Sequence, residues 1–127
     1  MFTKKLYFYE TNNRGEKMAK KLKVDGDYVK DGSRKVARIK NDCIYKGTST
    51  SSSNLLAYIR RDKFYSKKTS SSSYCIGMLK GDYIYNDSNS SSRNRIGRIR
   101  DAEKVILGRC SDEELAAIYV LMDKGAL

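Results

Sequence analysis

Asp82-Tyr83-Ile84-Tyr85, then a polar run from Asn86 to Asn94, then Ile96-Gly97-Arg98-Ile99-Arg100: this stretch is one unit of a pattern written three times at a spacing of twenty residues. Asp42 and Asp62 head the other two units, and Tyr45, Tyr65 and Tyr85 follow three residues later. Ser51, Ser71 and Ser91 align, as do Ser52, Ser72 and Ser92. The closing strings are Leu56-Ala57-Tyr58-Ile59-Arg60, Ile76-Gly77-Met78-Leu79-Lys80 and the one quoted above. A fixed period of this length dictates a repeat architecture before any local reading does.

Each unit reads as a β-hairpin. Ile44-Tyr45, Phe64-Tyr65 and Ile84-Tyr85 are strand-forming pairs, and turn residues separate two short arms. The pleat sorts the arms by face. Ala37, Ala57, Gly77 and Gly97 share a face with Ile39, Ile59, Leu79 and Ile99. Val29, Ile44, Phe64 and Ile84 form a second apolar column. These columns are the expected core, and the small residues imply a close approach near an axis. The opposite face carries Arg38, Tyr58, Met78 and Arg98, a mixed set suited to partly wet positions.

The pattern extends upstream. Gly26-Asp27-Tyr28-Val29 leads through Asp31-Gly32-Ser33 to Val36-Ala37-Arg38-Ile39-Lys40, a copy shortened by five residues at its tip. Asp-Gly is a strong hairpin dipeptide, and tips tolerate length change where arms do not. Leu6-Tyr7-Phe8-Tyr9 and Met18-Ala19-Lys20-Lys21-Leu22 flank Asn12-Asn13-Arg14-Gly15 as a degenerate first copy. Downstream, Lys104 to Arg109 echoes one arm. Ser111-Asp112-Glu113-Glu114 is a capping box that starts a helix. After it, either one helix covers Asp112 to Lys124, or a helical turn hands over to a strand in Ile118–Met122. The expected fold is all-β: about five pseudo-symmetric hairpins around one axis, closed by a short C-terminal helical turn. One domain spans 1–127, with units at about 5–22, 23–40, 41–60, 61–80 and 81–100 and a closing segment at 101–127.

The chain has 26 Lys and Arg against 15 Asp and Glu, a net charge of +11, and no His. Such a surplus draws polyanions; it also keeps a solvated surface soluble by repulsion. Cys43, Cys75 and Cys110 are far apart and form no CxxC pair. They are expected as free, apolar-like thiols in a reducing compartment. Without His or a neighbouring Cys, neither a metal site nor a catalytic thiolate is expected. No leader or run of ~20 apolar residues is evident, so the expected place is the cytoplasm, with no membrane span.

The hairpin form Asp82-Tyr83-Ile84-Tyr85 with Ile96-Gly97-Arg98-Ile99 resembles the bacterial β-flower proteins, four-fold and five-fold. The ending is similar too: Gly108-Arg109, the acids Asp112 to Glu114, Ala116-Ala117, then Ile118 to Met122. The likeness spans Leu6 to Met122. It implies a ring of hairpins around a pseudo-symmetry axis, and a helical turn followed by a strand at the end. It implies no activity. Long serine-rich tips replace the family's tight turns.

Three sets of residues invite a functional reading. Tyrosines interleaved with Lys and Arg can hold single-stranded nucleic acid by stacking and phosphate attraction, although Tyr is also simply a good strand residue. On that reading Arg38, Arg60, Arg98 and Arg100 bind a polyanion, with Tyr58 as the stacking residue. The serine tips read as polar spacers, or as an anion-binding rim of backbone N–H groups and hydroxyls. Asp27, Asp42, Asp62 and Asp82 read as Asx-turn residues rather than cation ligands. No P-loop, GxGxxG or Ser-His-Asp set is present. The expected role is therefore a non-catalytic structural or binding module without cofactor; the alternative is an electrostatic binder of nucleic acid or another polyanion. Self-association stays open.

Overall fold

The computed structural model describes Tyr9–Thr11 and Lys17–Leu127, with side chains from Lys20 onward. Two strands, β1 (Tyr9–Thr11) and β2 (Lys17–Ala19), pair as a separate antiparallel hairpin. The Leu6–Phe8 part of its first arm and the Asn12–Gly15 turn lie outside the described residues. Nine further strands follow: β3 (Leu22–Asp25), β4 (Tyr28–Asp31), β5 (Arg34–Lys40), β6 (Cys43–Lys46), β7 (Leu55–Arg60), β8 (Lys63–Tyr65), β9 (Cys75–Lys80), β10 (Tyr83–Tyr85) and β11 (Arg95–Arg98). They form one antiparallel meander. Helix α1 (Ile99–Val105) leads to β12 (Ile106–Gly108), which adds to β3 in parallel and completes a ten-stranded sheet. Helix α2 (Asp112–Asp123) ends the chain's regular structure.

The hairpin units hold one register throughout. Two-residue turns at Gly26-Asp27, Asn41-Asp42, Arg61-Asp62 and Gly81-Asp82 join successive units, with Val24↔Val29, Ile39↔Ile44, Ile59↔Phe64 and Leu79↔Ile84 as equivalent partners. Strand β3 therefore crosses the unit boundary at 22/23. The closing arm of the first unit is Leu22–Asp25, because Leu22 and Val24 alternate with Lys23 and Asp25 and face the core. Within each unit the register slips by one residue at the same place, skipping Val36, Leu56, Ile76 and Ile96. These bulges explain why every closing string begins with two adjacent core-type residues, which strict alternation forbids. A bulge also bends its strand and increases local twist.

The bends curl the sheet. Ten flat strands would span roughly 43 Å at the usual inter-strand spacing, yet β11 at one edge reaches β12 at the other through a seven-residue helix, which is only about 10 Å long. Helix α2 occupies the curl. Leu115 through Met122 are all buried, so no face of that helix turns to water. It packs on β7, β9, β10, β12 and α1. A helix encircled in this way needs no polar stripe, which is how the strand-prone Ile118–Met122 run becomes helical. Of the two alternatives the sequence left open, the single helix is the one formed, in place of the short helical turn and strand that the resemblance implies.

The expected core columns are buried, with one exception. Val29, Ala37, Ile44, Ala57, Phe64 and Ile84 are inaccessible, and Ile39, Ile59 and Leu79 are nearly so. Ile99 is only partly buried, because it starts α1 instead of continuing β11. The Asp101 carboxylate accepts from the Arg98 backbone N–H at 2.9 Å, and Asp101-Ala102-Glu103-Lys104 favours helix where the other units turn back. The small residues do mark a close approach, and its object is α2. A Cβ on Gly77 would lie 2.7 Å from the Tyr85 carbonyl oxygen and 2.9 Å from Val120 Cγ2. At Gly97 it would meet the Tyr119 ring at 3.1 Å.

A candidate polyanion-binding surface

The face opposite the core columns is built from cross-strand pairs, and it is not uniformly wet: Cys43 and Met78 are buried, Met78 against the expectation of a partly wet position. Tyr28 faces Arg38, Cys43 faces Tyr58, Lys63 faces Met78, and Tyr83 faces Arg98. In two of these four pairs an arginine of the second arm faces a tyrosine of the first. Lys35 Nζ sits 4.2 Å and the Arg38 guanidinium 5.5 Å from the Tyr28 ring centroid. Arg95 and Arg98 lie 4.0 Å and 4.7 Å from Tyr83. Arg98 also donates to the Tyr83 hydroxyl, and Arg95 Nη2 donates to the Tyr85 hydroxyl at 3.4 Å. These rings already hold a cation of the same chain. Tyr45, Tyr65 and Tyr85 are buried; the Tyr45 phenol is held above its usual range by a hydrogen bond with Cys43, reinforced by burial.

The three serine loops share one defined shape. The side chains of Ser49, Thr69 and Asn89 accept the backbone N–H of Ser51, Ser71 and Ser91 at 3.1, 3.2 and 3.0 Å. A short 3₁₀ turn follows each time, at Ser52–Asn54, Ser72–Tyr74 and Ser92–Asn94. Hydroxyl pairs Ser51–Ser53 and Ser71–Ser73 close at 3.0 and 2.9 Å. In the last loop Asn94 Nδ2 donates to Asn89 Oδ1 at 2.8 Å instead. Two loops fold back on cations of the preceding arm: Arg38 Nη1 donates to the Thr48 carbonyl at 3.2 Å, and Lys80 Nζ to Ser90 Oγ at 3.5 Å. Low-complexity serine runs thus form ordered loops rather than open spacers. Asn86, at the base of the last loop, is tied to the end of α2. Its Nδ2 donates to Asp123 Oδ2 at 3.0 Å, and its carbonyl accepts from Lys124 Nζ at 3.1 Å.

Charge is distributed unevenly between the loops and the opposite end. The loops carry Lys67, Lys68 and Arg93 with one acid, Asp87, and Lys46 stands at the end of β6 where the first loop begins. Lys46, Lys68 and Arg93 are exposed, and Lys67 Nζ sits 4.6 Å over the Tyr74 ring. At the other end, the turn aspartates Asp27 and Asp42 line hollows shared with Glu113 and Glu114 at the start of α2. The capping box is formed there: Ser111 N–H donates to Glu114 Oε1 at 2.9 Å, and Glu114 N–H to Ser111 Oγ at 3.1 Å. The repeat aspartates act through the backbone. The carbonyls of Asp27, Asp42, Asp62 and Asp82 accept from Ile39, Ile59, Leu79 and Ile99 at 2.6 to 3.0 Å, and their exposed carboxylates make none of the Asx-turn bonds expected of them.

The five nominated residues do not form one patch. Arg38 on β5 and Arg98 on β11 are separated by five intervening strands, and both serve tyrosines of their own units. Tyr58 is half-buried, its ring 6.5 Å from that of Tyr65. Arg60 is exposed, but lines a hollow with Asp42, Glu113 and Glu114. Arg100 is exposed on α1. Sequence reasoning passed over Lys46, Lys67, Lys68 and Arg93, although their spacing from the serine runs was a usable signal. No family model, no curated protein and no solved structure matches the chain.

The remaining titratable groups are structural. Asp25 is held below the usual carboxylate range by its hydrogen bond and ion pair with Lys30, 2.8 Å away. Burial, with Glu114 and Asp112 adding to it, pushes the Cys110 thiol up to about 11. All three cysteines are free thiols, and Cys75 Sγ donates to the Gly77 carbonyl at 3.4 Å. Among the described residues no cluster of His, Cys, Asp or Glu is grouped to hold a metal ion, and no helix is long and apolar enough to cross a membrane.

Proposed function

We propose that the chain is a non-catalytic binding module of the β-flower type, its hairpins related by approximate four- or five-fold symmetry, and that its serine loops hold a polyanion. The observation that carries the reading is the segregation of charge. Exposed Lys46 at the end of β6, Lys68 on the second loop and Arg93 on the third meet one acid, Asp87, while at the opposite end Lys40, Arg60, Arg61 and Arg109 share their hollows with Asp27, Asp42, Glu113 and Glu114. The repeated register between units supports the symmetry. Cys110, protonated at neutral pH, is a poor nucleophile, which favours binding over chemistry. Because Tyr28 and Tyr83 are covered by their own cations, recognition rests on phosphate or sulfate charge and not on base stacking.

Fluorescence anisotropy with single-stranded RNA, polyphosphate and heparin tests this. Binding should be indifferent to base sequence and fall steeply between about 50 and 200 mM salt as counterions are released. A Lys46→Glu/Lys68→Glu/Arg93→Glu variant should lose tenfold or more in affinity. A Lys40→Glu/Arg61→Glu/Arg109→Glu variant changes net charge equally at the turn end and should lose far less. Equal losses, or no binding of any probe at tens of micromolar in low salt, would overturn the reading.

A further inference from the structure

The second unit differs from the others in a way that opens a site. Asp31 pairs with Arg34, so its tip is the two-residue turn Gly32-Ser33, with no 3₁₀ loop. Beside it lies a hollow of about 350 Å³, within the range of small-ligand pockets. Its floor is apolar: Leu22, Val36, Ala126 and Leu127, all packed on the core. The last two arrive there by a Schellman turn. Gly125 at φ +76° lets Ala126 N–H donate to the Leu121 carbonyl at 2.9 Å and Gly125 N–H to the Met122 carbonyl at 3.1 Å. The wall is basic. The side chains of Lys20, Arg34, Lys35 and Lys46 line it, Lys35 also reaching the Tyr28 ring, and the one acidic side chain, Asp31, already pairs with Arg34 at 3.4 Å. The two hollows at the turn end have acids in their walls, Asp27 with Glu114 and Asp42 with Glu113 and Glu114.

We propose that this hollow binds a small amphipathic monoanion, an alkyl carboxylate whose chain lies on the Leu22–Val36–Leu127 floor and whose head group meets Lys20 and Lys46. Apolar burial and charge pairing act on the two ends of one ligand, as in small-molecule sites where few polar groups fix the orientation of an apolar body. The site does not depend on the loops binding a polyanion.

The test is a titration of the full chain with sodium octanoate, followed by methyl NMR at Leu22, Val36 and Leu127. Saturable shifts at these methyls are expected with octanoate. At matched ionic strength, acetate and octyltrimethylammonium should each give shifts at least tenfold weaker. Lys20→Glu/Lys46→Glu, on residues outside the core, should weaken octanoate at least tenfold. Absent shifts would overturn the site. So would equal response to the cationic analogue, which marks a merely greasy patch, or indifference to the double reversal. RNA titration of the same samples separates the two readings: RNA binding without octanoate binding removes this inference alone.

Discussion

The two ends of this molecule are made from the same repeat and have become chemically different. At the turn end, four two-residue turns are tight and alike, acids crowd the start of α2, and nearby cations face carboxylates. At the loop end, three connections of eight or nine residues between arms are serine-rich and share one shape, and one is reduced to Gly32-Ser33. The arms between could not diverge in the same way. Their inward residues pack on α2, where a change of one methyl group is felt. Variation, and with it binding chemistry, is confined to what lies beyond the helix.

Damage to the shared sheet and its helix should therefore strike both ends at once. Gly77→Ala places a Cβ against the Tyr85 carbonyl and Val120, and should cost about 1–3 kcal/mol in urea or thermal melts. Gly97→Ala, whose nearest neighbour is the Tyr119 ring at 3.1 Å, should cost less. A neutral Gly77→Ala would mean that α2 is not seated against β9. Polyanion binding should fall with folding in these variants and not before it.

Alkaline pH should act through the turn end and the helix, leaving the loops alone. Burial holds the Cys110 proton to about 11, against 9.0 ordinarily, and the Tyr119 proton to about 12, with Asp101 and Asp123 adding to the latter. Both folded-state values are raised. Their contribution is complete below pH ~9 and is lost as pH climbs to about 11 and 12, because the unfolded chain ionises first. Stability measured from pH 8 to 11.5 should decline, and Cys110→Ser should remove the part that begins near pH 9, leaving the Tyr119 part that begins near pH 10. A flat profile would contradict the burial of both groups.

The smallest effect should be a gain. Three of the four inter-unit turns begin with Gly26, Asn41 or Gly81 at positive φ; the fourth begins with Arg61 at φ +58°. An ordinary side chain pays there for the left-handed conformation. Arg61→Gly should stabilise by roughly 0.5–1 kcal/mol, offset in part by glycine's added freedom when unfolded. Loss of stability would show that the Arg61 side chain, beside Asp42 and Glu113, contributes more than its strain costs.

Repetition made the hairpins, their order and most of the core readable from the chain. Each position was seen several times, and an apolar position that stays apolar in every copy, as at 29, 44, 64 and 84, is buried. The pairing of Tyr with Arg at 28/38 and 83/98, and of Lys with Met at 63/78, emerged only with the register. The ends of the pattern were harder. Ile99 continues the repeat in composition, yet Asp101 caps a helix there. The Ile118–Met122 run carries strand propensity, and becomes helix because the sheet closes around it on every side. Local preference is worth tenths of a kcal/mol per residue, whereas burying one such side chain is worth about 1.5–3 kcal/mol. The sequence by itself determined the repeating hairpins, the bulge and the helix cap, all of which arise from neighbours in the chain. Only the tertiary structure decided that the final segment is a helix buried against the sheet, which cations face tyrosines or acids, and that a shortened tip leaves a basic-walled hollow, since each depends on segments brought together across the sheet.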